Sequence, residues 1–108
     1  MNSPKRYLIV SDQMHIAHLL RRNLERKGHI VTSVSSGDEA MNLIQSESFD
    51  CALLDYDTPA PNGYEILSFI RTTQALHEMW VGLFVPEPLV DFVKSLPAKP
   101  DQYFTKQS

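Results

Sequence analysis

Four charged residues lie at or just after the ends of short apolar or β-branched runs of the sequence. They are Asp12, Asp55, Asp57 and Lys106. If the runs are neighbouring parallel strands, their carboxyl ends meet at one sheet edge and these side chains gather there. Two carboxylates ~4 Å apart repel by about 4 kcal/mol at an effective dielectric near 20, and Mg²⁺ bound by carboxylate, water and phosphate oxygens would relieve that repulsion. The residues alone therefore predict a site for Mg²⁺ and a phosphoryl group, with Lys106 pairing an anion on or near Asp55.

Five strand-like segments that could position these residues alternate with four segments of helical periodicity. The predicted strands are Tyr7–Val10, His29–Val34, Cys51–Leu54, Trp80–Val85 and Gln102–Thr105. The first predicted helix runs from Met14 to Lys27, and its inward stripe is Ile16, Leu19, Leu20 and Leu24. The second begins after a capping box at Ser36–Glu39. The third and fourth are Tyr64–Arg71 and Leu89–Leu96. This alternation with short connections predicts an α/β fold, in which right-handed crossovers build a parallel sheet with helices on both faces.

Composition limits the classes of protein to consider. The chain has 108 residues, of which 43% are hydrophobic and 21% charged, which fits one small globular domain. The net charge of −3 argues against a nucleic-acid-binding surface. No apolar run approaches the length of a membrane span. The single cysteine, Cys51, excludes an internal disulfide and favours a cytoplasmic location.

Other candidate sites are weak. His15 and His18 lie one helical turn apart, but no third ligand accompanies them, so a zinc site is not expected. Cys51 lies within a predicted buried strand and is expected to pack in the core. The segment SDQMHIAHLL has no glycine-rich phosphate loop, which argues against a flavodoxin-like nucleotide enzyme.

The segment LLDYDTPAPNGYEIL, residues 53–67, resembles the phosphoacceptor strand and following loop of receiver domains of two-component response regulators. Pro59 and Gly63 stand four and eight residues after Asp55, as in that family. The resemblance extends from about Tyr7 to Lys106. It implies a flavodoxin-like, doubly wound, five-stranded parallel sheet in the order 2-1-3-4-5 and a receiver domain over residues 1–108.

The resemblance also implies a role for each site residue. By this resemblance, Asp55 is the phosphoacceptor, and Lys106 is the lysine that pairs with the phosphoryl group. The implied metal ligands are Asp12, Asp55 and the backbone carbonyl of Asp57. The implied switch positions are Val85 and Tyr103. The Asp57 side chain is expected only to begin the turn. The implied cofactor is Mg²⁺, and the implied partner is a histidine kinase or phosphotransfer protein.

Three positions depart from the family pattern. Ser11 stands where the family usually has a first acid, so Mg²⁺ affinity is expected to fall. Val85 lacks the hydroxyl of the usual Thr or Ser, and a hydrogen bond to a charged group contributes roughly 1.5–3 kcal/mol, so coupling could weaken by about 10- to 150-fold. Gln107 replaces a proline that is typically cis, so a trans bond is expected there.

The sequence also lacks a segment that could form the family's usual fifth helix. We expect the chain to be the N-terminal part of a longer protein, and an uncovered apolar face to favour a homodimer. Two functions therefore stay open: a phosphoacceptor receiver, and a pseudo-receiver that acts as an interaction or dimerisation module without phosphorylation. Asp12, Asp55 and Lys106 favour the first. Ser11, Val85 and Gln107 favour the second.

Overall fold

The computed structural model describes residues 3–107 and has the predicted alternation of strands and helices. The strands are β1 (Arg6–Val10), β2 (Ile30–Val34), β3 (Cys51–Asp55), β4 (Trp80–Pro86) and β5 (Gln102–Lys106). The helices are α1 (Met14–Arg26), α2 (Gly37–Ser46), α3 (Gly63–Thr72) and α4 (Val90–Lys94), with a 3₁₀ turn at Glu87–Leu89. No helix in this range is long and apolar enough to cross a membrane.

The five strands form one sheet in the order β2-β1-β3-β4-β5, which confirms the predicted topology. Every neighbouring pair is parallel, so all carboxyl ends lie at one edge. In such sheets the ligand crevice lies where the strand order reverses, here beside β1 and β3. The register sets the residues that meet there, because Asp55 pairs with Phe84 and Pro86 pairs with Lys106.

Hydrophobic layers cover both faces of the sheet. On one face, α2, α3 and α4 pack against strand residues that include Leu8, Val10 and Leu54, none of which is exposed. On the other face, Ala17 of α1 packs into a cluster with Ile9 of β1. Successive strand residues point to opposite faces, which is why neighbours in β1 belong to different layers.

One residue predicted to face inward from α1 lies outside. The Leu19 side chain is 58% exposed, whereas Leu20 and Leu24 contact the core. Helix α1 packs on β1 and β2 at one side of the sheet, so a narrow stripe through Ala17, Leu20 and Leu24 makes the contact. The prediction for Leu19 is therefore wrong.

Hydrogen bonds at the helix starts differ from the predicted capping. The Ser36 hydroxyl accepts from the Glu39 N–H, but the Glu39 carboxylate contacts the Ser36 hydroxyl and not its backbone N–H. At α3, the Asn62 side chain accepts from the Glu65 N–H and the Glu65 carboxylate accepts from the Asn62 N–H. The capping box predicted for α2 is therefore half formed, whereas α3 has a complete one.

The last helix is shorter than predicted. Only Val90–Lys94 of the predicted Leu89–Leu96 segment forms α-helix, after the 3₁₀ turn. Pro88 occupies that turn, where its missing N–H is tolerated. Pro97 disfavours helical backbone at the residue before it, which limits the helix at its other end.

Aromatic side chains cover the sheet face over β4 and β5. The rings of Phe84 and Phe104 stack with their centroids 4.7 Å apart. A Cβ on Gly82 would lie 2.8 Å from the Phe104 ring and 3.2 Å from the Trp80 ring, so only glycine lets both rings approach the strand. Within residues 3–107, the only helix that packs on this face is α1, and the aromatic rings form the surface beyond it.

Candidate functional site

Asp55 is a buried carboxylate at the carboxyl end of the central strand. All five residues of β3 are buried, because β3 lies in the middle of the sheet. The Asp55 side chain is only 3% exposed, and a buried charge requires donors or a positive partner. Its Oδ1 accepts from Lys106 Nζ at 2.7 Å and from the Asp57 N–H at 3.0 Å, and its Oδ2 accepts from the Ser11 hydroxyl at 2.9 Å.

Lys106 is the positive partner of this site. Its side chain is 10% exposed, and its Nζ forms ion pairs with Asp55 and, at 3.0 Å, with Asp57 Oδ2. Burial lowers the pKa of Lys106, but the hydrogen bonds and charges of both carboxylates together hold that pKa above its usual value. Among residues 3–107 the only cis peptide bond is Ala60–Pro61. The bond after Lys106 is therefore trans, as expected, and Lys106 nevertheless reaches Asp55.

Asp57 contributes its side chain to the site. Its N–H donates to Asp55 and its Oδ2 accepts from Lys106. The expectation that this side chain would only begin the turn is therefore wrong. Because the Asp57 side chain is 48% exposed, solvent weakens its ion pair, and such exposed pairs contribute about 0–1 kcal/mol.

Ser11 links the end of β1 to the Asp55 carboxylate. Its side chain is buried, and its hydroxyl donates to Asp55 Oδ2 while accepting from the Gln13 N–H at 3.1 Å. Because the hydroxyl has only one proton, accepting from Gln13 leaves that proton directed at Asp55. The family pattern indicates only the loss of an acid at this position, although a buried serine beside a predicted carboxylate cluster is itself a signal for a donor.

The loop after β3 is fixed close to Asp55. The hydroxyl of Thr58, a buried residue that no sequence motif singles out, donates to the Asp55 carbonyl at 2.8 Å. A Cβ on Gly63 would lie 2.6 Å from the same carbonyl oxygen, so α3 can begin this close to β3 only with glycine. The loop thereby holds the Asp57 backbone beside the Asp55 carboxylate.

The oxygen groups predicted to bind Mg²⁺ lie at the same sheet edge. Asp12 is exposed, and within residues 3–107 it has no hydrogen-bond or ion-pair partner. No group of three His, Cys, Asp or Glu side chains within the described residues could by itself hold a metal ion. The predicted set does not require one, since it consists of two carboxylates and the Asp57 carbonyl. These are hard oxygen donors of the kind that Mg²⁺ takes together with water.

The two predicted switch positions lie on the same face of neighbouring strands. Val85 is fully buried, and Tyr103, whose register partner is Leu83, packs against the same core. The Tyr103 hydroxyl is buried and has no hydrogen-bond partner among residues 3–107. Desolvation, with a smaller contribution from Tyr64, raises the pKa of Tyr103. The side chain points inward without a polar contact at its end.

Comparisons with known proteins give a consistent match. A family model described as "Response regulator receiver domain" matches residues 7–108. The chain is 32% identical over 102 residues to the alkaline phosphatase synthesis transcriptional regulatory protein PhoP of Bacillus subtilis (strain 168). This match covers 94% of the chain and 42% of that protein, so the chain spans less than half the length of this curated relative.

Solved structures have the same fold. The response regulator receiver domain protein (CheY-like) from Methanospirillum hungatei JF-1 is 30% identical, with a TM-score of 0.83 over 96% of this chain and 82% of that one. The response regulator protein TrrA from Thermotoga maritima, in complex with Mg²⁺-BeF, is 26% identical, with a TM-score of 0.78 over 94% and 86% of the two chains.

Proposed function

This chain belongs to the family of response regulator receiver domains, and from that membership we propose that it accepts a phosphoryl group on Asp55 in two-component signal transduction. The observation that carries this proposal is the buried Asp55 carboxylate at the end of β3, contacted by Lys106 Nζ at 2.7 Å. Receiver domains are signalling modules and not classical enzymes. We propose that residues 1–108 act as one such module.

The chemistry requires an aligned nucleophile and positive charge near the transferred group. An Asp55 carboxylate oxygen forms a bond to phosphorus, and the bond from phosphorus to the donor's nitrogen or oxygen breaks, with the electron pair leaving on the donor. Lys106 already contacts the acceptor carboxylate, so its ammonium can pair with phosphoryl oxygens as charge develops there. The donor partner would be a histidine kinase or phosphotransfer protein.

Mg²⁺ is the cofactor that we propose for this transfer. Asp12, Asp55 and the Asp57 carbonyl would hold the ion, which supplies charge neutralisation for the phosphoryl oxygens when bound. The TrrA structure, which contains Mg²⁺-BeF, supports this assignment by similarity. Since Ser11 replaces one acid of the usual pocket, we expect weaker Mg²⁺ binding than in receivers with two acids there.

The response to phosphorylation is proposed to reach the β4–β5 side of the domain through Val85 and Tyr103. The hydroxyl that normally contacts the phosphoryl group is missing from Val85, and Tyr103 has no hydrogen bond within residues 3–107 that would hold its inward position. We therefore expect phosphorylation to shift Tyr103 less than in receivers with a hydroxyl at position 85. Signal output would then be delivered by a partner that contacts this side.

Intact-mass measurement tests the proposal. Wild-type protein incubated with acetyl phosphate and Mg²⁺ should gain one phosphoryl group, and Asp55→Asn should gain none. Beryllofluoride should shift the amide resonances of residues 55–58 in the wild type only. If the wild type gains no phosphoryl group and binds no beryllofluoride, the phosphoacceptor role is refuted, and a phosphorylation-independent interaction module becomes the explanation.

A further inference from the structure

We propose that Ser11 is a positioning residue that holds Asp55 by Oδ2 and competes with a divalent cation for that oxygen. The inference rests on the proposed function only in taking Asp55 as a cation ligand. It assigns Ser11 a role of its own, whereas the family pattern alone indicates only that an acid is missing at position 11.

The two oxygens of Asp55 are not equivalent. Oδ1 accepts two hydrogen bonds, from Lys106 and from the Asp57 N–H, whereas Oδ2 accepts only one within residues 3–107, from Ser11. A carboxylate oxygen has about two acceptor positions, so Oδ1 is saturated and Oδ2 keeps one position open. A cation that binds Asp55 while Lys106 stays in place must therefore approach Oδ2, where the hydrogen bond from Ser11 already draws on the negative charge of the same oxygen.

The Ser11 hydroxyl is directed at that oxygen by a second contact. The Gln13 N–H, at the start of α1, donates to Ser11 Oγ at 3.1 Å, and Ser11 Oγ in turn donates to Asp55 at 2.9 Å. Consecutive hydrogen bonds strengthen one another in a buried environment. This chain of contacts gives Asp55 a fixed position in the resting protein without a bound cation.

The charge of the site favours the same role. Lys106 contacts two carboxylates, which leaves one formal negative charge among the three groups. An acid at position 11 would add a second negative charge, and the resting site would then depend on a cation to relieve the repulsion. A neutral donor at this position instead satisfies Asp55 directly, so the resting protein is expected to be stable without Mg²⁺ and to bind it weakly.

Substitutions at position 11 separate the effect of losing the hydrogen-bond donor from the effect of adding a carboxylate. Ser11→Ala removes the donor from Oδ2 and should lower the dissociation constant for Mg²⁺ by about 10-fold or more, the range expected for one lost competing hydrogen bond to a charged group. Ser11→Thr keeps the hydroxyl and should bind Mg²⁺ as the wild type does. Ser11→Asp adds a carboxylate and should lower the dissociation constant by more than about 10-fold while making thermal stability dependent on Mg²⁺.

The measurement is isothermal titration of each variant with MgCl₂ alone, and with MnCl₂ as a second probe, together with melting curves in buffer with and without MgCl₂. Asp55→Asn should abolish the binding and so locate it. Ser35→Ala is the matched control, because Ser35 is an exposed serine that follows β2 at the same sheet edge. The Ser35→Ala variant should bind Mg²⁺ with the same dissociation constant as the wild type.

An unchanged dissociation constant in Ser11→Ala would overturn the proposal, as would absence of binding in every variant. Failure of the proposed function is recognised separately. A Ser11→Ala protein that binds Mg²⁺ more tightly, in a chain that gains no phosphoryl group, would support the role of Ser11 and refute phosphorylation. A chain that gains a phosphoryl group, but whose Ser11→Ala variant binds Mg²⁺ like the wild type, would support phosphorylation and refute the role of Ser11.

Discussion

Replacing Tyr103 with phenylalanine is expected to stabilise the protein, which is the opposite of the usual effect of this change in a core. The Tyr103 hydroxyl is buried and has no hydrogen-bond partner among residues 3–107. The unfolded chain hydrates the same hydroxyl, so folding removes it from water without replacing the hydrogen bonds it loses. The Tyr103→Phe variant would fold without that loss.

The magnitude follows from what the substitution leaves intact. A buried polar group without a partner costs about 1–3 kcal/mol, and Tyr103 as a whole is only half-buried, which favours the lower end. The ring keeps its core packing, and Lys94 Nζ, 5.4 Å from the ring centroid, keeps its cation–π contact. We therefore expect a gain of about 1 kcal/mol in the free energy of unfolding, equivalent to about 4 °C in melting temperature for a domain of this size.

The matched control is Tyr64→Phe. Tyr64 packs against the same core, but its hydroxyl accepts a hydrogen bond from the Ala98 N–H at 2.9 Å. Removing that acceptor should lower the free energy of unfolding by about 1 kcal/mol. Urea denaturation followed by far-ultraviolet circular dichroism measures both variants. A Tyr103→Phe protein destabilised by as much as Tyr64→Phe would show that the Tyr103 hydroxyl has a partner, which would refute the expected stabilisation.

Three further substitutions test contacts around the site. Lys106→Met should lower the free energy of unfolding by about 1.5–3 kcal/mol, through lost hydrogen bonds to charged groups. Because folding raises the pKa of Lys106, this difference should be constant from neutral pH up to the ordinary lysine pKa of about 10.4 and should shrink as pH rises through the folded value. A difference that grows in alkali in paired urea titrations would contradict this expectation. Gly63→Ala should lower the free energy of unfolding by about 1–3 kcal/mol, because the added Cβ would lie 2.6 Å from the Asp55 carbonyl oxygen. The same change should shift the Asp55 amide resonance. An unchanged spectrum and an unchanged stability would refute the close approach. Asn62→Ala should cost about 1 kcal/mol in urea denaturation and more than Ser36→Ala, since only Asn62 belongs to a complete capping box; equal losses would contradict this.

The fold was predictable because local signals and global rules agree in this chain. Buried strands such as Cys51–Leu54 appear as unbroken apolar runs, and alternation with helical segments requires a parallel sheet. The rule that polar residues at the carboxyl ends of strands meet at one edge then placed Asp55 near Lys106. The structure puts these side chains in contact at 2.7 Å.

The features that could not be predicted depend on strand register and on how much of a helix surface contacts the sheet. Lys106 reaches Asp57 as well as Asp55 because Pro86, and not a neighbouring residue of β4, pairs with Lys106. That register comes from packing across the whole sheet, which sequence spacing does not specify. Leu19 satisfies the helical period but lies outside because the contacts of α1 with the sheet fall mainly on β1 and β2.

Two departures from the family pattern have different physical consequences. At position 11 an acid is replaced by a donor, and the Ser11 hydroxyl satisfies the buried Asp55 carboxylate directly. At position 85 a hydroxyl is replaced by a methyl group, and nothing polar among residues 3–107 compensates at the inward end of Tyr103. We therefore expect the first change to act on cation binding by the resting carboxylate and the second on transmission to β5. Ser11→Asp and Val85→Thr should then have separable effects, the former on Mg²⁺ affinity and the latter on the resonances of Tyr103 when beryllofluoride is added.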